Sequence, residues 1–327
     1  MINKTILITG GTGSWGYALV NKLLEMNSGE IRIFSRNEAL QVEMKQHFRN
    51  SSQLKFIIGD IRNKDELMLA CQGVDYIYHT AALKHVPICE QQPDMAFKIN
   101  VIGTQHVIDA AIANQVSKVI YVSTDKASNP SNTYGMTKAL GERLIIHANE
   151  KNTATKFISV RSGNVLGSTG SVIPIFKRQI EQNLDVTITD MRMTRFFIAL
   201  EEAVDMLLTA TEHGFGGEIF VSKMPACKIS NIAEVLMEQQ EKSDLQLIET
   251  GVRPGETLHE MLISECESET SIHFDDKYFV ILPNFPIMGL QEHYERFERV
   301  SFDKYDSEHM LMSKRETEKM LRSGGFL

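Results

Sequence analysis

The stretch KTILITGGTGSWG, residues 4–16, decides how the chain is read. Its first six residues are a short apolar run ending at a glycine, which reads as a buried parallel strand. The run enters Gly10-Gly11-Thr12-Gly13-Ser14-Trp15-Gly16 and then an amphipathic segment with Leu19, Val20, Leu23 and Leu24. Strand, glycine turn and helix start in that order form a dinucleotide-binding fingerprint. The glycines permit a tight turn and close approach of backbone to a pyrophosphate, whose charge the helix N-terminus favours. Gly10, Thr12, Gly13, Ser14, Trp15 and Gly16 are thus candidate cofactor contacts.

Working outward, a second strand at residues 30–34 ends in Ser35-Arg36. A site for NAD usually carries an acid here, about 20 residues past the glycines, on the ribose 2′-hydroxyl. A hydroxyl followed by a guanidinium suits a 2′-phosphate instead, and therefore NADP over NAD. A third strand at 54–58 leads to Gly59-Asp60-Ile61, where Asp60 is placed to meet adenine. A fourth at 75–79 opens into Thr80-Ala81-Ala82-Leu83-Lys84, small residues that let a flat ring approach, followed by a lysine suited to an anion or hydroxyl. His79 and His85 read as packing or hydrogen-bonding residues, with no second metal ligand at their spacing. Residues 94–114 read as one long helix, and strands at 118–123 and 156–161 follow.

Strands alternating with helices in this way make an α/β fold, a doubly wound parallel sheet of the Rossmann type. The expected division is an NADP-binding domain over residues 1–167 and a smaller, mainly substrate-binding lobe over 168–327. Some segments around 190–222 are expected to return to the first domain. At 327 residues the chain exceeds the size at which single cores usually stop growing, which suits that division.

A net charge of −8 disfavours a nucleic-acid partner, which would show a basic face. Nothing approaches the ~18 apolar residues of a membrane span, and the first apolar run is too short for a secretory signal. Cys71, Cys89, Cys227 and Cys266 are scattered, without metal or disulfide spacing. These features lead to the expectation of a cytoplasmic protein with reduced thiols and no metal.

The chemistry is expected in STDKASNPSNTYGMTK, residues 123–138, at the carboxyl end of the fifth strand. Open α/β sheets bind ligands along that edge. Pro130 keeps the middle of the segment from being helical, so the next helix starts near Asn132 or Thr133. Tyr134 and Lys138 then lie one turn apart, close enough for an ammonium to favour a phenolate. Asp125 and Lys126 form a second, separate proton-transfer pair beside Thr124.

Several blocks carry a resemblance. TGGTGSWG at 9–16, Ser35-Arg36 and Tyr134-x-x-x-Lys138 resemble the extended short-chain dehydrogenase/reductase family. More narrowly, AALKHVPICE from Ala81, the 123–138 stretch, RSGNVLGSTGSVIP from Arg161, MTRFF from Met193 and GVRPGETLHEML from Gly251 are similar to UDP-N-acetylglucosamine 4,6-dehydratases. The likeness is to the soluble enzymes, C5-inverting and retaining, rather than to relatives with an N-terminal membrane region. It implies that Thr12 to Trp15 line the pyrophosphate and that Ser35 and Arg36 hold the 2′-phosphate. Asp60 and Ile61 would flank adenine, with Ala81, Ala82, Lys84, Ser123 and Val165 along the cofactor. Lys84, Thr124, Asn164, Val172 and Arg253 would meet the nucleotide sugar, and a homo-oligomer, dimeric or larger, is implied.

The implied reaction is an internal redox cycle: oxidation at C4, loss of water across C5–C6, and hydride return to C6. Tyr134 and Lys138 serve the redox steps, Lys126 takes the C5 proton and Asp125 protonates the departing 6-hydroxyl. Asp125 must then be protonated and Lys126 neutral. Many sugar-nucleotide dehydratases of the wider family carry Asp-Glu at this place, so Asp125-Lys126 favours UDP-N-acetylglucosamine as substrate. The alternatives are a nucleotide-sugar 4-epimerase on the same scaffold and a non-catalytic NADP-binding regulator.

Overall fold

Successive residues of the first strand, β1 (Ile6–Thr9), point to opposite sides of a sheet, and neither side meets water. Ile6 and Ile8 pack with Leu19, Val20 and Leu23 of helix α1 (Ser14–Glu25), whereas Leu7 joins a second core with Leu67, Val107 and Ile145. Burying each such side chain contributes about 1.5–3 kcal/mol, which is why so short a strand can anchor the sheet. The computed structural model describes residues 1–151, 154–168, 171–242, 244–253 and 255–327.

Five more parallel strands follow: β2 (Ile31–Ser35), β3 (Leu54–Ile58), β4 (Tyr76–His79), β5 (Lys118–Val122) and β6 (Lys156–Arg161). Their order is β3-β2-β1-β4-β5-β6, which reverses direction between β1 and β4. That reversal is the switch point at which a doubly wound sheet opens a crevice. The expected α/β architecture is therefore present, with each of the six strands within two residues of its expected position.

The sheet takes more from the second half of the sequence than segments near 190–222. Ile219–Ser222 adds in parallel beside β6, then Tyr278–Ile281 and Ser271–His273 add antiparallel, giving nine strands. The last two are too short and irregular in pattern to stand out in the sequence. Thr194–Ile198 instead pairs with Asn164–Val165 and Ala226–Lys228 in a small separate sheet. Residues from 172 to 247 and the helix Lys314–Ser323 enclose a further core around Phe176, Ile180, Ile232, Leu236 and Leu321.

The remaining helices of the first half are α2 (Glu38–His47), α3 (Lys64–Ala70), α4 (Val86–Gln91), α5 (Pro93–Phe97), α6 (Gly103–Ala113) and α7 (Thr133–Lys151). The single helix expected at 94–114 is divided: Lys98–Ile102 forms a wider π turn between α5 and α6. Asn100 sits there, almost fully buried, and its amide holds both backbone groups of Leu83, at 2.8 and 2.9 Å. Such π turns are frequent where a side chain is redirected to a functional site. Asn132 caps α7, accepting the Gly135 N–H at 2.8 Å.

Candidate active site

The carboxyl ends of β1, β2, β4, β5 and β6 surround a cavity of about 620 Å³. Gly10, Thr12, Gly13, Ser14 and Trp15 form its wall at the start of α1, with Ser35, Arg36, Asp60 and Ile61 at one end. Ala81, Ala82 and Lys84 line it after β4, and Ser123, Thr124, Asp125, Lys126, Tyr134 and Lys138 after β5. Asn164 and Val165 complete it.

Three expected contacts lie elsewhere. Gly16 is buried against Gly11, where a Cβ would stand 2.0 Å from the Gly11 carbonyl oxygen, so its part is to let helix meet turn. Val172 opens the helix Val172–Glu181 and packs on the lobe core. Arg253 is largely exposed, 3.9 Å from Glu256, and Pro254 of the expected turn lies outside the described residues.

The wall fits a dinucleotide on its own geometry. Gly10 has φ +70°, and a Cβ there would lie 2.7 Å from the Ala81 backbone, so only glycine allows the two loops to approach this closely. The Ser123 hydroxyl is buried without a hydrogen-bond partner among the described residues, an unmet polar group in the cavity wall. Ser35 is held by Gln41, whose amide donates to its hydroxyl at 2.9 Å, while Arg36 is exposed. Asp60 accepts from Arg62 Nε at 3.0 Å, so its carboxylate is already partnered. Beneath the cavity His79 is fully buried between Thr9 and Thr104, at 2.7 and 3.1 Å. Burial pushes it down to about 3, which keeps it a neutral packing group.

The reactive residues converge on one turn. Thr124 and the 3₁₀ turn Asp125–Ala127 follow β5, and α7 begins six residues later. A Cβ on Gly135 would lie 2.3 Å from the Lys126 carbonyl oxygen, so glycine is what seats α7 directly on that turn. Thr124 Oγ1 donates to Asp125 Oδ1 at 2.7 Å, and Lys126 Nζ donates to the same oxygen at 3.1 Å. Burial pushes the Asp125 carboxyl up, but the Lys126 charge, with hydrogen bonds from its neighbours, outweighs it and holds the group at about 2. Burial likewise disfavours charge on Lys126, yet Asp125 and Glu260 hold it above its ordinary value.

The pairing thus favours an ionised Asp125 and a charged Lys126, the reverse of the protonation expected for an acid and a base. The reason is the paired geometry: each charge is the other's nearest compensation.

The Tyr134–Lys138 expectation also changes. Lys138 Nζ donates to the Val122 carbonyl at 2.6 Å and lies 3.8 Å above the Tyr121 ring. Burial pushes it down to about 7. Tyr134 is pushed up to about 12 by burial, and the opposing influences are the Lys126 charge and the Thr124 hydroxyl. The two expected pairs are therefore one connected cluster.

One further residue was not expected. Glu260, almost fully buried, accepts from Lys126 Nζ at 2.8 Å and Asn164 Nδ2 at 2.8 Å, with Arg195 Nε 3.0 Å away. Asn164 also donates to the Phe196 carbonyl at 3.2 Å, so both its amide hydrogens are engaged, and donation to a diphosphate requires one bond to open. Arg195 spends its other donors on the carbonyls of Thr194, Leu258 and Thr257. The available signal for Glu260 was an acid opening the apolar strand Met261–Ile263, since a buried carboxylate requires a cationic partner. No spacing rule reaches from residue 260 to residue 126. Among the described residues no helix is long and apolar enough to cross a membrane.

Comparison with known proteins agrees with this geometry. The profile of the polysaccharide biosynthesis protein family matches residues 6–282. A UDP-N-acetylglucosamine 4,6-dehydratase (inverting) of Campylobacter jejuni is 44% identical over 289 residues, covering 87% of this chain and 84% of that protein. A UDP-glucose 4-epimerase of Rickettsia felis is 46% identical over 273 residues, covering 81% and 79%. The solved structure of Pen from Bacillus thuringiensis superimposes with TM-score 0.93 at 36% identity, covering 100% of this chain and 99% of that one. The chain belongs to the polysaccharide biosynthesis protein family, within the extended short-chain dehydrogenase/reductases.

Proposed function

We propose that this chain is an NADP-dependent nucleotide-sugar 4,6-dehydratase acting on UDP-N-acetylglucosamine. The observation that carries the reading is the hydrogen-bonded Asp125–Lys126 pair on the same cavity as Tyr134. An epimerisation at C4 needs no acid for C6 and no base for C5, so on an epimerase this pair has no task. The Campylobacter relative supports the same reading, while the Rickettsia names keep the epimerase as the alternative to test.

Gly10, Thr12, Gly13, Ser14 and Trp15 would hold the pyrophosphate, and Ser35 with Arg36 the 2′-phosphate. When bound, the oxidised nicotinamide supplies a hydride acceptor for C4 and, once reduced, the hydride for C6, so no external oxidant is consumed. Tyr134 removes the 4-hydroxyl proton, helped by the Lys126 charge and the Thr124 hydroxyl. A ketone at C4 acidifies C5, and Lys126, as the free amine, takes that proton. Asp125, as the acid, gives a proton to the 6-hydroxyl, which leaves as water. One proton crossing the 3.1 Å from Lys126 to Asp125 converts the resting ion pair into this working pair.

Incubation with UDP-N-acetylglucosamine in deuterated water, followed by proton NMR, tests the reading. Deuterium at C5 with loss of the C6 hydroxyl is expected, and the coupling constants report the C5 configuration. A product altered only at C4 would sink it and leave the epimerase.

The cofactor assignment has its own test. Arg36→Ala removes a guanidinium suited to a charge-assisted contact, and NADP affinity is expected to fall roughly 10–100-fold, with NAD affinity little changed. Equal loss for both nucleotides in a fluorescence titration would remove Arg36 from the 2′-phosphate. A homo-oligomer is part of the proposal: Phe97, Ile102, Met136 and Leu140, on the segments near Asp94 and Asn132, are exposed apolar residues available for pairing between copies.

A further inference from the structure

We propose that Arg195 is a positioning residue for the elimination: as the standing partner of the Glu260 carboxylate, it leaves Lys126 free to give up its proton. The proposal rests on the dehydratase reading and deepens it. Lys126 Nζ lies between two buried carboxyl groups, Asp125 at 3.1 and 3.3 Å and Glu260 at 2.8 Å. The Glu260 carboxyl is met by donors at both oxygens. Lys126 Nζ and Arg195 Nε reach one, at 2.8 and 3.0 Å, and Asn164 Nδ2 reaches the other at 2.8 Å. That is the arrangement of an acceptor-only carboxylate. Burial and the charge of Asp125 push this carboxyl up, and Lys126 and Arg195 oppose them.

The charge count gives Arg195 its task. At rest the group holds two carboxylates, Asp125 and Glu260, and two cations, Lys126 and Arg195. Moving one proton from Lys126 Nζ to Asp125 Oδ1 leaves those two neutral, while Glu260 still has Arg195 at 3.0 Å. No charge is stranded in the buried site. Lys126 then takes the C5 proton, the electron pair of that bond ends in the C5–C6 double bond, and the 6-hydroxyl leaves as water with the Asp125 proton. The resting charges are thereby restored. Without Arg195, two carboxylates would share one cation. Loss of the Lys126 proton would then leave Glu260 uncompensated, so Lys126 would be held in the charged form that cannot act as a base. Burial and Arg195 both oppose charge on Lys126, against Asp125 and Glu260.

Arg195 is built to keep its charge in place. A guanidinium does not release its proton near neutrality. Nη1 donates to the carbonyls of Thr194 and Leu258 at 2.8 and 3.1 Å, and Nη2 to the Thr257 carbonyl at 3.0 Å and the Met193 sulfur at 3.5 Å. All four hydrogens on its terminal nitrogens are thus engaged, which leaves none for a sugar or a phosphate. Glu260 is equally fixed, since its backbone exchanges two 2.8 Å hydrogen bonds with Ser307. Neither partner can swing away when Lys126 changes charge. A second cavity, of about 260 Å³, adjoins the group, and its remaining acids stand beside basic side chains of their own. Asp306 has Lys304 at 2.8 Å, Glu308 has His259 at 3.8 Å and Glu256 has Arg253 at 3.9 Å.

The experiment compares product formation from UDP-N-acetylglucosamine with first-turnover reduction of bound cofactor at about pH 8, where carboxyl groups are ionised. It uses wild type, Arg195→Met and the double variant Arg195→Met with Glu260→Gln. Arg195→Met is expected to lose product formation by about 10²-fold. First-turnover reduction persists in it, because Lys126 keeps the charge that favours the Tyr134 phenolate. Adding Glu260→Gln removes the carboxylate that holds Lys126 charged, and is expected to recover product formation at least about tenfold over the single variant. An arginine with a merely structural role would not be rescued by losing a second charged group. Wild-type elimination in Arg195→Met, a double variant no better than the single, or loss of reduction in step with elimination overturns the proposal. Where Arg195→Met does not fold, Arg195→Gln, which keeps a donor for the carbonyls and removes the charge, carries the same expectations. Wild type that makes no 6-deoxy product at all overturns the dehydratase reading instead.

Discussion

Lys126→Arg is expected to lose formation of the 6-deoxy-4-keto product by about 10²–10⁴-fold while still reducing bound cofactor on the first turnover. A guanidinium keeps the positive charge but cannot give up its proton near neutrality, so it cannot serve as the C5 base. It can still oppose the burial that pushes Tyr134 up to about 12. Lys126→Ala removes both contributions. It is expected to lose elimination equally and, in addition, to slow first-turnover reduction, because Tyr134 loses the nearby charge that favours its phenolate. NADP binding should persist in both variants, since the pyrophosphate wall lies on β1 and α1 rather than on the turn after β5. Rapid-mixing absorbance of the reduced cofactor and NMR of the product separate the two steps. Arginine and alanine variants that reduce cofactor at the same rate would show that Lys126 does not tune Tyr134. Unchanged turnover in either would remove Lys126 from the base role.

That ordering of variants could not have been read from the sequence, where the Tyr134–Lys138 and Asp125–Lys126 pairs look independent. Helical spacing correctly places Tyr134 and Lys138 on one helix, and hydrophobic runs place the six strands, because both are local regularities. Which charge meets which phenol is set by packing between elements. Gly135 brings α7 onto the Lys126 carbonyl, so Tyr134 answers to Lys126, while Lys138 turns to Val122 and Tyr121. Glu260 and Asn100 were missed for the same reason. Their partners lie 134 and 17 positions away, and each is a polar residue in an apolar segment whose significance appears only once its buried partner is known.

Arg161→Met is expected to destabilise the fold by about 3–5 kcal/mol at neutral pH, the cost of removing one member of a buried ion group. Arg161 is among the largest fully buried side chains of the chain. Its guanidinium donates to Glu142 at 3.1 and 2.6 Å, to Glu267 at 3.0 and 2.9 Å, and to the Leu262 carbonyl at 2.8 Å. The group joins β6, α7 and the segment around residue 267, and so ties the two halves of the sequence together across position 167. Burial pushes Glu267 up, but the Arg161 charge and the hydrogen bonds of Arg161 and Ser264 outweigh it and hold the carboxyl at about 2.

A carboxyl depressed in this way contributes stability that is fully present above its unfolded value of about 4.3 and is lost as pH falls through about 2. Without Arg161 the two carboxylates face each other in a buried site and relieve the strain by taking up protons. The deficit of Arg161→Met should therefore shrink between pH 7 and about pH 5, and adding Glu142→Gln and Glu267→Gln should recover part of it at pH 7. Urea titrations at the two pH values measure both effects, and a deficit independent of pH would show that lost packing, rather than charge, is responsible. The consequence reaches the proposed active site, because Glu267 also accepts from Ser128 at 2.9 Å, one residue past the turn that carries Asp125 and Lys126. Elimination is expected to weaken in Arg161→Met at temperatures where the protein is still folded, because the turn loses the anchor that fixes its acid and base.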